Sequence, residues 1–438
     1  MSSTPRRVVV TGMGLISPLG NTLAEFWDAL LAGKSGVERL SSVPPDYLPV
    51  SFGAEARQFT GAIDDFGPLE GEKKKNIRKA LKVMCRETQM GVAAAERALA
   101  DAGLATGGFD PERAGVSFGS DYMLTKPDEF VAGIRKCMSA DGQFDFSRWG
   151  VEGMPQLTPL WLLKYLPNMP ASHLAIFNDM RGPSNSLTHR EASSNLAMGE
   201  AFRTIARGNA DIMLAGATGT RVHPMKIVHA VTQEEVAANG VEPARACRPF
   251  DLNRTGMVLG EGAGCVVLEE LKSAQQRGAK IYAEMIGTAS SSAADRRGAA
   301  LRATAIGNAL RGAIRDARLS LDAVGHVHAH GLGTRSSDAD EARAIRETFA
   351  DRRSPVPVTA AKSYFGNVGA GGGALETIAS LLALAQRRLF AVLNYETPDP
   401  ECPINVVRGN DQNPGRSFIN VNATPQGQAA AVVLRMMD

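Results

Sequence analysis

The chain has 438 residues, 44% of them hydrophobic and 21% charged, and its formal net charge is +2. These values are ordinary for a globular protein with one large domain or two fused ones. The small net charge excludes a nucleic-acid coat or an acidic tail protein. No run of 18 uncharged apolar residues and no N-terminal signal core occurs, so no membrane span or signal peptide is predicted. Five scattered cysteines without a CxxC pair predict reduced thiols in the cytoplasm.

The first half alternates predicted strands and helices. The run "RRVVVTGMG" (6–14) is typical of a buried strand that ends in a glycine turn, and 21–36 is predicted to be a capped helix. Periodic apolar residues predict helices over 87–104 and 195–209, the second followed by the strand "ADIMLAGATG". The segment 124–170 is the least regular, and we interpret it as an insertion.

The second half repeats this order. The strand "KIYAEMIGTA", the helix "ALRATAIGNALRGAIRDARL", the strand "HVHAHGLGT" and the helix "ALETIASLLALAQRRL" follow one another. Strand–turn–helix units in both parts predict a layered α/β architecture with two related halves. We place these halves at 1–252 and 253–438.

Two glycine-rich stretches do not carry a nucleotide signature. "GMGLIS" follows the first strand, but Ser17 stands where a dinucleotide fingerprint has its third glycine, and no acidic residue ends a second strand at the right distance. "GNVGAGGGA" (366–374) lacks the Lys-Ser/Thr ending of a phosphate loop. The second stretch is better explained as a tight turn that packs a helix against the sheet, and neither stretch predicts a cofactor.

Three other stretches place polar side chains at a strand end or a helix start, where catalytic groups gather in α/β folds. The first is "GPSNSLTHREASSNLAMGEA" with Glu191. The second is "HVHAHGLGTRSSDADEARAI", in which His330 ends an apolar strand. The third is "VTAAKSYFGNVGAGGGALETIASLLAL" with Lys362 and Asn367. Together they predict one site.

Over essentially its whole length, from "VVVTGMGLISPLG" through "CRPFDLNRTGMVLGEGAG" to "VNATPQGQAAAVVL", the chain resembles the β-ketoacyl-acyl-carrier-protein synthase family, the elongating condensing enzymes of the thiolase superfamily. This resemblance implies the five-layered α-β-α-β-α thiolase fold and a two-fold dimer. It also implies a role in fatty-acid or polyketide-type synthesis, on acyl chains bound to an acyl carrier protein or coenzyme A.

The resemblance also assigns roles to individual residues. In that family a cysteine at a helix start carries the acyl chain, and two histidines, a lysine and a glutamate assist. Here the cysteine position holds Glu191, the first histidine position His330 and the second Asn367. The lysine corresponds to Lys362 and the glutamate to Glu341. The glycine-rich gate near the C terminus is replaced, and Asn420 is expected in the place of the gating phenylalanine.

Glu191 should abolish the standard reaction. A thiolate attacks thioesters because sulfur is strongly nucleophilic, whereas a carboxylate is a weak nucleophile that also repels the malonyl anion. Three functions then remain: an enzyme with Glu191 as general base, a non-catalytic partner resembling chain-length factors, or a malonyl decarboxylase. The third fits least, since loading decarboxylases of this type carry a neutral glutamine there.

A basic run, "EKKKNIRKALK" (72–82), presents Lys75, Arg78, Lys79 and Lys82. Such runs are usually solvated helix faces. In the family, however, these positions lie near the pocket mouth, where they would steer an acidic carrier protein. A homodimer or a heterodimer with a cysteine-bearing ketosynthase is expected, without nucleic acid as a partner.

We also expect Glu191 to bind His330 and to raise the pKa of its imidazole. The alternative is a Glu191 carboxylate held only by backbone N–H groups at the helix start. The alternating His326, His328 and His330 superficially suggest a metal triad. The resemblance places only His330 in the active site, so no metal is expected.

Overall fold

The computed structural model describes residues 5–42 and 48–437. Their strands are β1 Val8–Ile16, β2 Glu38–Arg39, β3 Phe52–Gly53, β4 Ala114–Gly119, β5 Ser184–Leu187, β6 Ile212–Thr220, β7 Glu261–Glu270, β8 Ala283–Ser292, β9 His326–His328, β10 Pro357–Thr359, β11 Asn405–Val406, β12 Ser417–Ala423 and β13 Gln428–Arg435.

The α-helices of the described residues are α1 Leu23–Leu31, α2 Gly71–Ala80, α3 Arg86–Asp101, α4 Pro127–Lys136, α5 Met169–Asn178, α6 Ser193–Ala206, α7 Pro224–Gln233, α8 Pro243–Ala246, α9 Leu271–Gln276, α10 Arg302–Asp316, α11 Arg335–Thr348, α12 Lys362–Phe365 and α13 Gly372–Gln386.

The main sheet contains two copies of one topology. The strands of the first half run in the order β5-β4-β6-β7-β1, and those of the second run β10-β9-β12-β13-β8, with β11 added at the outer edge. In both copies the first three strands are parallel and the last two antiparallel. A short β1–β8 pairing joins them into 11 strands. The repeated strand–helix order in the sequence therefore reflects a repeated topology.

The helices divide the fold into layers. The central pair, α6 and α13, contacts strands of both copies, whereas α3 packs on β1 and β7 and α10 packs on β8 and β13. The order is thus helix, sheet, helix, sheet, helix, as predicted for the five-layered thiolase fold. Every residue of β1, β6 and β12 is buried, because helices cover both faces of these strands. The division at 252/253 stays a prediction.

A glycine allows the two central helices to meet. A Cβ added at Gly373 in α13 would lie 2.2 Å from Asn422 Oδ1 and 3.0 Å from Ser194 Cβ in α6. A larger residue here would force the side chains of Asn422 and Ser194, or α13 itself, to shift. This close approach brings the start of α6, the loop before α13 and the middle of β12 to one place, which is where the candidate site lies.

The irregular segment 124–170 forms α4 followed by short helical turns. It exposes large apolar side chains, among them Phe146 at 75%, Val151 at 82% and Leu160 at 66%. Clusters of exposed apolar residues of this kind mark contact surfaces. All five cysteines are free and buried. Among the described residues, no helix is both long and apolar enough to cross a bilayer.

Candidate active site at the start of α6

Glu191 lies in a tight turn just before α6. Residues Arg190–Ala192 form one 3-10 turn, and α6 begins at Ser193. Arg190 adopts a left-handed backbone conformation, with φ at 49°. That conformation is uncommon for a residue with a long side chain and persists only where the surroundings hold it. The turn buries Glu191, which is 1% exposed.

The Glu191 carboxylate is bound by two arginines and an amide. Its Oε1 accepts hydrogen bonds from Arg221 Nη2 at 2.7 Å and from Asn367 Nδ2 at 3.1 Å. Its Oε2 lies 3.5 Å from Arg190 Nε, an ion pair without a hydrogen bond. Arg221 follows β6, and Asn367 lies in the loop between α12 and α13. Three separate segments therefore converge on one carboxylate.

A second carboxylate completes the arrangement. Glu234 Oε1 accepts hydrogen bonds from Arg190 Nη2 at 2.7 Å and from Arg221 Nη1 at 2.9 Å. Each guanidinium thus faces both carboxylates. We call Arg190, Glu191, Arg221 and Glu234 the Arg–Glu cluster. Its formal charges cancel, which is the condition under which buried ions are tolerated.

The cluster fixes the charge of Glu191. Burial disfavours the carboxylate, but the guanidinium groups of Arg221 and Arg190 outweigh it and lower the pKa of Glu191 from 4.5 to about 2. Burial likewise disfavours the charge on Arg221, yet Glu191 and Glu234 raise the pKa of its guanidinium above the ordinary value. Both groups are therefore ions at neutral pH.

The predicted bond between Glu191 and His330 is wrong. Among the described residues, the Glu191 carboxylate accepts hydrogen bonds from Arg221 and Asn367 and none from His330. Burial, and next the Lys362 charge, lower the pKa of His330 from 6.5 to about 3, the opposite of the predicted direction. The alternative is wrong too, because side chains rather than backbone N–H groups at the helix start hold Glu191.

His330 belongs to an adjoining cluster. Its Nδ1 lies 3.2 Å from Lys362 Nζ and 3.4 Å from Asn422 Nδ2. Lys362 forms a buried ion pair with Glu376. The other oxygen of Glu376 accepts hydrogen bonds from Asn422 Nδ2 at 2.7 Å and from Asn420 Nδ2 at 2.9 Å. Nδ1 of the neutral imidazole is therefore the acceptor for the Lys362 ammonium, which leaves the proton on Nε2.

Glu341 acts on the backbone around His330. Its two carboxyl oxygens accept hydrogen bonds from the backbone N–H groups of His330, at 2.6 Å, and Gly331, at 2.8 Å. Burial raises the pKa of Glu341 to about 8, although the Gly331 hydrogen bond opposes that rise. Glu341 thus fixes the loop that carries the imidazole, which is a positioning role.

The remaining candidates fall in different places. Asn420 is fully buried in β12, and its amide donates to Glu376 rather than facing a pocket mouth; the gate role stays a prediction. His326 Nε2 and His328 Nδ1 both contact Ser380 Oγ. Within the described residues, no group of three or more His, Cys, Asp or Glu side chains could hold a metal ion.

Sequence reasoning missed several residues of the site, namely Arg190, Arg221, Glu234, Glu376 and Asn422. One signal could have found the first of them, since a carboxylate predicted at a buried helix start needs a cation nearby and Arg190 precedes it. The other residues lie 30 or more positions away from Glu191, and no local pattern connects them to it.

The basic run forms α2 and the turn after it. Lys75, Arg78, Lys79 and Lys82 are exposed. Among the described residues, these four side chains form one ion pair, between Lys75 and Glu72 at 3.5 Å. Lys73, in contrast, is tied to Glu96 and Asn178. A cleft of about 780 Å³ opens beside the end of this run; Met84, Arg86, Lys126 and Lys164 are among its lining residues, whereas Glu191 and His330 are not.

Comparison with known proteins identifies the family. The model for the β-ketoacyl synthase N-terminal domain matches residues 5–274, and the model for the C-terminal domain matches residues 282–396. The chain belongs to the β-ketoacyl synthase family. This family serves fatty-acid and polyketide biosynthesis.

Individual relatives and solved structures support this family assignment. A 3-oxoacyl-[acyl-carrier-protein] synthase 2 from Coxiella burnetii is 34% identical over 92% of this chain and 91% of its own length. The ishigamide ketosynthase/chain length factor matches with a TM-score of 0.83 at 26% identity over 99% and 100% of the two chains. The AntDE ketosynthase, solved with its acyl carrier protein AntF and a hexaketide, matches with a TM-score of 0.80 at 26% identity over the same shares.

Proposed function

We propose that this protein is a non-elongating ketosynthase-family subunit that pairs with a cysteine-bearing ketosynthase and docks an acyl carrier protein. The observation that carries the proposal is the state of Glu191. The residue at the nucleophile position is an ion, and the buried Arg221, the partly buried Arg190 and the Asn367 amide are fixed around it. A carboxylate held in this way is a poor nucleophile for an acyl group.

A general-base role for Glu191 is disfavoured by the same contacts. A base works best when its pKa lies near the working pH. The arginines hold the pKa of Glu191 at about 2, so its carboxylate has little affinity for a proton at neutral pH. Moving it toward a substrate would also break its hydrogen bonds and leave a buried guanidinium partly unpaired.

Malonyl decarboxylation is disfavoured on charge. A malonyl carboxylate would have to enter beside the Glu191 anion, and like charges repel strongly where burial excludes water. The observation in favour of an enzyme is the intact neighbouring cluster, in which His330 is neutral and Lys362 is charge-paired with Glu376. We interpret that cluster as the part of the ketosynthase site that supports the fold of this subunit.

Two relatives support the partner role. One is a ketosynthase/chain length factor, and the other is a ketosynthase solved with its carrier protein. Strand β5 lies at the edge of the sheet of this chain and exposes Ser184 and Asn185. Edge strands present unpaired backbone groups to another chain. Together with the apolar segment 124–170, β5 gives a partner subunit a surface to cover.

The test is a condensation assay on the purified protein, alone and co-expressed with a cysteine-bearing ketosynthase of the same organism. Acyl and malonyl carrier proteins are supplied, ketoacyl product is measured, and acylated subunits are identified by intact-mass spectrometry. We expect product only from the pair, with the acyl group on the other subunit. As a control, replacing that subunit's cysteine with alanine should abolish all product.

Turnover with acylation of this chain alone would contradict the proposal. A homodimer of this chain that does not bind the cysteine-bearing subunit would also contradict it. The variant Glu191→Cys should not restore elongation by itself, because Asn367 and the two arginines remain around the introduced thiol.

A further inference from the structure

The donors around Glu191 form a compact arrangement in their own right. Arg221 Nη2 and Asn367 Nδ2 both point at one oxygen, and Arg190 Nε faces the other. Three buried polar atoms of this group have no hydrogen-bond partner among the described residues: Arg190 Nε, Arg221 Nε and Glu191 Oε2. Buried donors left in this state raise the affinity of a site for an anionic acceptor.

We infer that Arg190, Arg221 and Asn367 form a carboxylate-binding site whose built-in occupant is the side chain of Glu191. Arginine is well suited to this task, because its planar fork matches the geometry of a carboxylate. The inference deepens the proposed function and rests on it only in that Glu191 is not a nucleophile. It gives a reason for a glutamate at position 191 in particular, since only an acidic side chain supplies the carboxylate that this site binds.

The charge balance of the Arg–Glu cluster favours a carboxylate at the position of Glu191. With Glu191 present, two guanidinium groups face two carboxylates. Without it, Glu234 is the one carboxylate among the described residues that still pairs directly with the two cations, and Asp121 acts on Arg221 only through its charge. Arg221, whose side chain is just 6% exposed, then loses a direct partner. A buried uncompensated charge recruits a counter-ion or destabilises the fold.

Size and access allow an external carboxylate to take the place. Truncating Glu191 to alanine removes one methylene and the carboxylate, and acetate consists of one methyl and one carboxylate. The Arg190 and Glu234 side chains are 22% and 13% exposed, so this side of the Arg–Glu cluster reaches solvent. In the intact protein Glu191 occupies the site, so the carboxylate of an incoming ligand cannot bind there.

The experiment measures the melting temperature of Glu191→Ala against increasing sodium acetate. Acetamide at equal concentration is the neutral control of the same shape, and sodium chloride at equal ionic strength is the salt control. We expect a saturable rise of about 1–2 °C at roughly ten times the dissociation constant, with acetate only. The intact protein and Glu191→Ala/Arg221→Met should show no acetate-specific rise.

A second variant keeps the test decisive if Glu191→Ala does not fold. Glu191→Ser also removes the carboxylate from Asn367 and the two arginines, and it should respond to acetate in the same way. Glu191→Gln fills the space with a neutral amide and should not respond. The inference is overturned if neither small variant shows an acetate-specific rise, or if the double variant shows the same one. This readout is stability, so its failure is separate from any outcome of the condensation assay.

Discussion

At the scale of single residues, the Arg221–Glu191 pair is the main determinant of the site. Removing one partner of a buried pair leaves the other charge unpaired. Arg221→Met keeps an unbranched side chain but removes the cation. We expect it to lower the free energy of unfolding by about 3–5 kcal/mol, measured by urea denaturation. Glu191→Leu/Arg221→Met should lose less than the sum of the two single variants, and simple additivity would contradict the coupling.

The ionisation of Glu191 gives a pH dependence with a definite sign. Its pKa falls from 4.5 to about 2 on folding, so its contribution to stability is complete above pH 4.5 and is lost as the pH falls toward 2. We expect the unfolding free energy of Glu191→Gln to depend less steeply on pH in that window. Equal slopes for the two proteins would argue against the lowered pKa.

His330 should be neutral well into the acid range. Burial and the Lys362 charge lower the pKa of its imidazole to about 3, below the ordinary 6.5. The unfolded chain binds this proton more readily, so this group makes stability fall as the pH drops from 6.5 toward 3. Histidine NMR spectra, assigned with His330→Asn, should show no titration of this ring between pH 5 and 8. A midpoint above 6.5 would restore the rejected Glu191–His330 pairing.

At the scale of elements, hydrophobic periodicity placed several of the longer helices and strands within a few residues. The helix expected at 87–104 is α3, Arg86–Asp101, and the strand expected at 6–14 is β1, Val8–Ile16. The glycine turn expected at the end of this strand is wrong, because Gly12 and Gly14 pair with β7 inside the strand. The helix expected at 195–209 begins earlier, at Ser193. Small polar residues at a helix start carry no apolar periodicity, so the pattern cannot place that boundary.

Helix α2 yields a prediction about docking. Lys75, Arg78, Lys79 and Lys82 are exposed, so their charges are available to an acidic carrier protein. Reversing all four to glutamate should weaken carrier binding at least tenfold, about 1.4 kcal/mol, measured by titration calorimetry, and added salt should weaken the wild-type complex. Lys272→Glu is a control outside this run. If neither the charge reversal nor added salt changes the affinity for the carrier protein, α2 is an ordinary solvated helix face and the docking prediction is wrong.

At the scale of the whole molecule, the chain should be a dimer. The family fold, the β5 edge and the apolar side chains of segment 124–170 all favour a large contact of the size that stable subunits need. Sedimentation at micromolar concentration should show a dimer of this chain or, with a cysteine-bearing ketosynthase present, a mixed pair. Phe146→Asp/Leu160→Asp should weaken it, and a monomer in both conditions would contradict the prediction.

The sequence by itself determined the fold class and the two-part repeat, since these depend on the order of strands and helices and on residue identity at recognisable motifs. That Glu191 stands at the family's cysteine position is a prediction from the same motifs. Tertiary structure alone decided what Glu191 binds. Arg221 and Asn367 are brought to it by the end of β6 and by the loop before α13, and Glu234 at the end of α7 pairs with Arg221. The pKa of a buried group depends on the charges around it in space, and the sequence does not contain those distances.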